Sequence, residues 1–286
     1  MSHDVAVVGS LSVDFVMQVP RRPGKGETIA GFDFSTFVGG KGNNQALAAA
    51  RAGSQVAMIG RVGTDSFADE IAGKLEADSI DTSYLFRDAR TGTGIANIYV
   101  DEDGDNSIVI VPRANGCLSK EDIQAASAAI ASAAIMLMQM EIPQPTIAAA
   151  AAIAHDAGVL VALNPAPAPP DGALAPELLC LIDILIPNQS EAELLTGIKI
   201  HDQITAAASA AALQGRGAKQ VIITLGEQGA LVLSGEAPVF VPSFAVTAVD
   251  TTAAGDAFCG ALATTRRGAE PSLPMKESIE KLAGYR

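Results

Sequence analysis

Short, continuous apolar runs alternate with Ala-rich segments of helical length along most of this chain. The runs at 5–9, 55–60, 133–140, 159–163, 183–186 and 220–225 read as buried strands. The segments at 43–52, 66–77, 145–157 and 204–216 read as helices, the third with Pro145 in its first turn. A strand that is apolar at nearly every position needs cover on both faces. The pattern therefore predicts an α/β fold: a central, mainly parallel sheet with helices on both faces. Two stretches break the rhythm. Residues 15–37 place Pro20, Pro23, Gly24 and Gly26 between alternating segments, and 95–111 reads as a hairpin turning through Asp101-Glu102-Asp103-Gly104-Asp105-Asn106. Together they predict a small β sheet projecting from the main body. Ligands of α/β proteins sit at the carboxyl ends of the parallel strands. A small sheet placed there acts as a lid that excludes water; the alternative is a hairpin with no such role. The 286 residues suffice for one large α/β domain carrying this appendage, or for two small domains.

Composition excludes several functions. The net charge of −13 disfavours nucleic-acid binding, which draws its affinity from Lys and Arg on phosphates. Aromatic residues are 4% of the chain and Trp is absent, against a lectin-like or base-stacking surface. Cys117, Cys180 and Cys259 are odd in number and widely spaced, which predicts reduced thiols rather than a zinc site or a disulfide framework. No basic, apolar leader opens the sequence and no apolar run reaches membrane-spanning length, so a cytoplasmic protein without a membrane partner is expected.

The most informative motif is Asp250-Thr251-Thr252-Ala253-Ala254-Gly255-Asp256, which follows a Val- and Ala-rich run at 245–249 and precedes an apolar segment. Small residues let backbone N–H groups crowd together at a helix N-terminus, a site for an anion such as a phosphoryl group. Asp256 then stands where a general base for an attacking hydroxyl is needed. Gly39-Gly40-Lys41-Gly42-Asn43-Asn44 is not a P-loop: Ser35 replaces the leading Gly, and Gly42 follows Lys41 where Ser or Thr would hold magnesium. It reads as a glycine turn opening a helix, with Lys41 and Asn44 as donors or simply as part of a helix cap. Asp14 lies just past the first strand, where it can accept from polyol hydroxyls or serve a turn. Glu141 ends the buried strand 133–140. Asn188 and Glu191 have helix-cap spacing but fit a hydrated magnesium ion and nucleotide phosphates equally well. Thr224-Leu225-Gly226 offers another close backbone approach. His3, His155 and His201 have no companions in metal-ligand spacing and read as surface or packing residues. Every candidate falls at the carboxyl end of an expected strand.

These motifs, with Gly9-Ser10, Met138-Gln139-Met140-Glu141, Leu163-Asn164-Pro165-Ala166-Pro167-Ala168 and Ile186 to Glu193, make the chain resemble the ribokinase branch of the PfkB family of carbohydrate kinases over nearly its whole length. The resemblance implies one ribokinase-like domain over 1–286, a β lid that often forms a homodimer interface, and ATP-dependent phosphorylation of a sugar's primary hydroxyl, with ribose going to ribose 5-phosphate. By position it implies Asp256 as catalytic base and the N–H groups of Ala253, Ala254 and Gly255 as anion hole. It puts Ser12, Asp14, Gly40, Lys41, Asn44 and Glu141 on the sugar, and Asn188, Thr224 and Gly226 on the nucleotide. Glu191 is implied to hold Mg2+ through water, and Asp250, Thr252, Ala263, Arg266, Gly268 and Ser272 a potassium ion.

The chain departs from the family pattern twice. Ser12 stands where ribokinases usually carry Asn, which opens the choice of sugar to deoxyribose, fructose or a nucleoside. Only twelve positions separate Asp256 from Gly268, where the family has two further helices' worth of chain. The absent part usually helps to wall the adenine pocket. A catalytically impaired sugar-binding form, a partner chain that fills the gap, or a segment lost from the sequence each account for it.

Overall fold

The computed structural model describes residues 3–235, 237–243 and 253–264. Its strands are β1 (Val5–Val8), β2 (Ser12–Gln18), β3 (Asp33–Gly39), β4 (Val56–Val62), β5 (Asp81–Arg87), β6 (Gly94–Val100), β7 (Asn106–Val111), β8 (Ile135–Met138), β9 (Leu160–Leu163), β10 (Ile184–Leu185), β11 (Gln220–Thr224), β12 (Ala230–Leu233) and β13 (Pro238–Val241). The helices are α1 (Lys41–Arg51), α2 (Ser66–Ala77), α3 (Lys120–Ala125), α4 (Ser127–Ala131), α5 (Gln144–Asp156), α6 (Pro176–Leu179), α7 (Gln189–Thr196), α8 (Gln203–Gly215) and α9 (Ala254–Thr264).

Nine strands form one sheet in the order β13-β12-β11-β10-β9-β8-β1-β4-β5. From β5 to β11 every pairing is parallel, and β12 and β13 close the edge antiparallel. The strands read from sequence as continuous apolar runs are the buried interior ones, as a two-sided sheet requires. In β1, alternate residues separate two cores. Ala6 and Val8 pack with residues of α3, α4, α5 and α8, while Val5 and Val7 pack with Ala46 and Ala49 of α1, Ile71 of α2 and Leu262 of α9. Chain order reverses at β1, which has β4 on one side and β8 on the other. That reversal opens a crevice at the carboxyl ends of β1 and β8.

The second sheet has four strands in the order β3-β2-β6-β7. The two stretches that break the α/β rhythm supply it, each as an antiparallel pair, β2 with β3 and β6 with β7. The two pairs join through β2 and β6, which run parallel. The expected run at 245–249 lies outside the described residues, as does the interval after 264 where the chain departs from the family pattern.

Candidate active site

The loop after β1, the start of α1, the end of β8 and the start of α9 meet at the crevice. Gly40 precedes α1 with φ 92°, a left-handed value that glycine adopts without strain, and it has no side chain to cap the helix. The cap comes from elsewhere: Glu141 Oε2 accepts from the Lys41 N–H (3.1 Å) and from the Ser10 hydroxyl (2.5 Å). A carboxylate there is favoured by the N-terminal end of the helix dipole. Glu141 thus ties β8, the β1 loop and α1 together as well as facing the cavity.

Ser12, Asp14, Gly40, Lys41, Asn44, Glu141, Ala253 and Asp256 line one cavity of about 300 Å³, roofed by Ile98, Ile108 and Ile110 of the small sheet. The Ser12 hydroxyl donates to Asp14 Oδ1 at 2.8 Å. Burial pushes the Asp14 carboxyl above its usual range; the Ser12 bond opposes this and the nearby Glu141 charge adds to it. A second cavity of about 180 Å³ adjoins the first and is lined by Lys41, Asn164, Asn188, Glu191, Thr224, Ala253, Ala254, Gly255, Asp256 and Cys259. A third, about 320 Å³ and largely apolar, continues past Thr224, Gly226, Gly255 and Phe258. Asn188 and Glu191 form a reciprocal cap on α7, Glu191 N–H to Asn188 Oδ1 at 2.8 Å and Asn188 N–H to Glu191 Oε2 at 2.9 Å. The helix-cap reading of this pair is therefore realised. Burial raises the Glu191 pKa, against the Asn188 N–H and Lys41, with the Asp256 charge contributing to the rise. Cys259 is buried, and burial, reinforced by Asp256 and Glu191, pushes its thiol far up, so it is a packed, protonated side chain.

Asp256 borders both polar cavities from the first turn of α9. Its residue is only 6% exposed, and both oxygens accept from amides: Oδ2 from Asn44 Nδ2 (3.2 Å) and Oδ1 from Gln45 Nε2 (3.1 Å). The N–H groups of Ala254 and Gly255 lie in the same first turn, where intrahelical acceptors are lacking. Ala253 holds φ 58° just before the helix, a left-handed conformation that costs a non-glycine residue on the order of 1 kcal/mol. Of the expected cation positions only Ala263 is described. It is buried in α9 against the core shared with α1; Asp250, Thr252, Arg266, Gly268 and Ser272 lie outside the described residues.

Sequence reasoning missed two features. Asn115 is buried and clamps the β1 loop, accepting from the Leu11 N–H (3.0 Å) and donating to the Leu11 carbonyl (2.8 Å). It is an isolated polar residue in a 3-10 turn (Arg113–Cys117) and belongs to no spaced motif. Gln139 and Asn164 sit inside quoted motifs and Gln45 directly follows one, yet nothing in their spacing reveals that Gln45 bonds to both.

The raised Asp14 pKa makes a testable prediction. A native carboxyl that holds its proton more tightly than the unfolded chain loses stability as pH rises past the unfolded value of 3.8. Asp14→Asn therefore raises the melting temperature at pH 7, and this gain shrinks to nothing as the pH falls below 3.8. Thermal melts across pH read this; an unchanged melting temperature at pH 7 contradicts the burial cost.

A parallel α/β sheet whose carboxyl ends hold an acid at a helix N-terminus, between a polar cavity and a path into an apolar one, is the architecture of a small-molecule kinase. The chain belongs to the pfkB family of carbohydrate kinases, whose model matches residues 2–280. It is similar to the ribokinase of Mus musculus, 41% identical over 279 residues that cover 97% of this chain and 85% of the relative. It is also similar to the deoxyribokinase of Salmonella typhi, 39% identical over 262 residues, 91% of this chain and 84% of the relative. Its fold matches the solved ribokinase of Arabidopsis thaliana, complexed with ribose and ATP, with a TM-score of 0.83 and 31% identity over 100% of both chains. Among the described residues no helix is long and apolar enough to cross a membrane.

Proposed function

We propose that this chain transfers the γ-phosphoryl group of ATP to the primary hydroxyl of ribose. The observation that carries the reading is the position of Asp256, on the wall shared by the cavity of Asp14, Lys41, Asn44 and Glu141 and the cavity of Asn188, Glu191 and Thr224. A sugar in the first and a nucleotide reaching from the third through the second would meet at this carboxylate. Asp256 takes the proton of the attacking hydroxyl, and the N–H groups of Ala253, Ala254 and Gly255, with Lys41, stabilise the charge spread over the phosphoryl oxygens. Asp14, Gly40, Asn44 and Glu141 orient the sugar, with Ser12 beside them. Asn188, Thr224 and Gly226 line the nucleotide's path.

No three or more His, Cys, Asp or Glu among the described residues gather as a protein metal cage. Glu191, with one oxygen engaged by its cap, suits a hydrated Mg2+ shared with nucleotide phosphates. When bound, Mg2+ neutralises phosphate charge. A monovalent cation such as K+ is assigned to the loop at Asp250 and Thr252 with Ala263, Arg266, Gly268 and Ser272, on the family resemblance.

Residues 1–286 act as one domain in this reading, and the small sheet over about 15–37 and 95–111 is its lid. Phe37, Ile108 and Ile110 lie on one face of that sheet by register and are 55%, 51% and 47% exposed, which favours a homodimer through the lid.

A coupled ADP assay over ribose, 2-deoxyribose, fructose and a nucleoside tests the substrate, and sedimentation of the same sample tests the dimer. Ribose is expected to give the highest kcat/KM. The similarity to a deoxyribokinase favours 2-deoxyribose as the second-best substrate. Absence of sugar-dependent ADP formation removes the kinase reading, and a 29.2 kDa species at assay concentration removes the dimer.

A further inference from the structure

Behind Asp256 lies a connected set of buried amides that the proposed chemistry does not use. Gln45 of α1 and Gln139 after β8 are fully buried, and Asn164 after β9 is 9% exposed. Gln45 Nε2 donates to Asp256 Oδ1 (3.1 Å) and to Asn164 Oδ1 (3.2 Å). Gln139 Nε2 donates to Gln45 Oε1 at 2.7 Å, and Asn164 Nδ2 donates to the Ile186 carbonyl at 2.8 Å. These partners fix each amide's orientation. A flipped Gln45 would set its oxygen against the oxygens of Asp256 and Asn164, and its NH2 against that of Gln139. Gly9 leaves the room Gln139 occupies: a Cβ at residue 9 would lie 2.0 Å from Gln139 Oε1. That oxygen has no hydrogen-bond partner among the described residues. Burying an unsatisfied amide oxygen is costly, and an apolar side chain would avoid that cost. Gln45 carries this set to the Asp256 carboxylate, with Gln139 donating to Gln45 and Asn164 accepting from Gln45.

We infer that Gln45, anchored by Gln139 and Asn164, is a positioning residue that holds the Asp256 carboxylate in line with the attacking hydroxyl. The inference rests on Asp256 being the base. A carboxylate at the first turn of a helix can turn about two side-chain bonds, and misplacement by about 1 Å can cost a hundredfold in rate. Asn44 restrains Oδ2 from the cavity side, and Gln45 restrains Oδ1 from the core side. Three strand ends and α1 thereby report on the placement of one atom pair.

The test compares Gln45→Met, Gln139→Met, Asp256→Asn and the Gln45→Met/Asp256→Asn double variant by steady-state kinetics, thermal melts and ribose calorimetry. Gln45→Met keeps the length and removes the donor. The expected result is a kcat reduced on the order of tenfold to a hundredfold with KM for sugar and ATP within about twofold. The double variant turns over no more slowly than Asp256→Asn alone, because the donor has no carboxylate left to position. A purely structural role would instead multiply the two losses. Gln139→Met gives a smaller fall in kcat, and it carries the test if Gln45→Met shows no cooperative melt. A kcat within twofold of the parent in a folded Gln45→Met, multiplying losses in the double variant, or an unchanged kcat in Gln139→Met overturns the inference. Asp256→Asn at the parent rate overturns the assignment of the base, whereas loss in Asp256→Asn with full rate in Gln45→Met overturns the positioning role alone.

Discussion

Asp256→Asn is expected to lower kcat by about 10²–10⁴-fold, the usual contribution of a general base and the role proposed for Asp256, while ribose still binds. The substitution preserves shape and removes the group that accepts the proton. In the native site both carboxylate oxygens face amide donors, Asn44 Nδ2 and Gln45 Nε2. An Asn side chain accepts from one and turns its own NH2 toward the other. The new donor–donor contact leaves one buried group unsatisfied, at a cost on the order of 1–3 kcal/mol, so some fall in melting temperature accompanies the loss of rate. Of the residues proposed to face the sugar, Asn44 bonds to Asp256, while Asp14, Lys41 and Glu141 belong to other elements, which predicts a ribose heat close to the parent's. Single-turnover measurement at saturating ATP and ribose isolates the chemical step. Parent-like turnover in this variant would remove Asp256 from the chemistry and leave it as an acid that ties α9 to α1.

Much of the fold was legible because burial on both faces of a parallel sheet writes a simple pattern. The runs at 55–60, 159–163 and 220–225 became β4, β9 and β11, and the segment at 66–77 became α2. What stayed hidden lacks that pattern. Strand β5 (Asp81–Arg87) is an edge strand with one covered neighbour and no residue fully buried, so its polar residues masked it. Strands β12 and β13 follow a short 3-10 turn and carry only four residues each. In the small sheet, the sequence showed that the two stretches would pair but not that β2 and β6 would join them in parallel, a pairing between residues about eighty apart. The site was legible where its residues end strands, since topology gathers those ends at one crevice. Its supporting shell was not. Gln45 and Asp256 are 211 residues apart, and a neutral amide in an Ala-rich helix carries no periodic or electrostatic signal of its partner.

Gly260→Ala destabilises the protein by about 1–3 kcal/mol and slows turnover together, although Ala is the better helix former. Gly260 faces α1 from the middle of α9. A Cβ there would lie 2.5 Å from Ala48 Cβ, 2.5 Å from the Gln45 carbonyl oxygen and 3.0 Å from the Ala49 nitrogen. Two of these are backbone atoms of a hydrogen-bonded helix and cannot step aside, so α9 itself must move outward. Asp256 sits four residues earlier, on the same face of the same helix, and moves with it. Its distances to Asn44 and Gln45, now 3.2 and 3.1 Å, lengthen, and misplacement by about 1 Å suffices for a hundredfold loss of rate. Gly73→Ala is the matched control. Gly73 lies in α2, and a Cβ there meets nothing within 4 Å. The same substitution at that position gains helix propensity without overpacking and stabilises by about 0.5–1 kcal/mol, with kcat unchanged. Denaturant melts and kcat on the two variants decide the matter. Equal and favourable shifts in both would show that α9 does not press on α1, and that the contact between these helices does not set the place of the base.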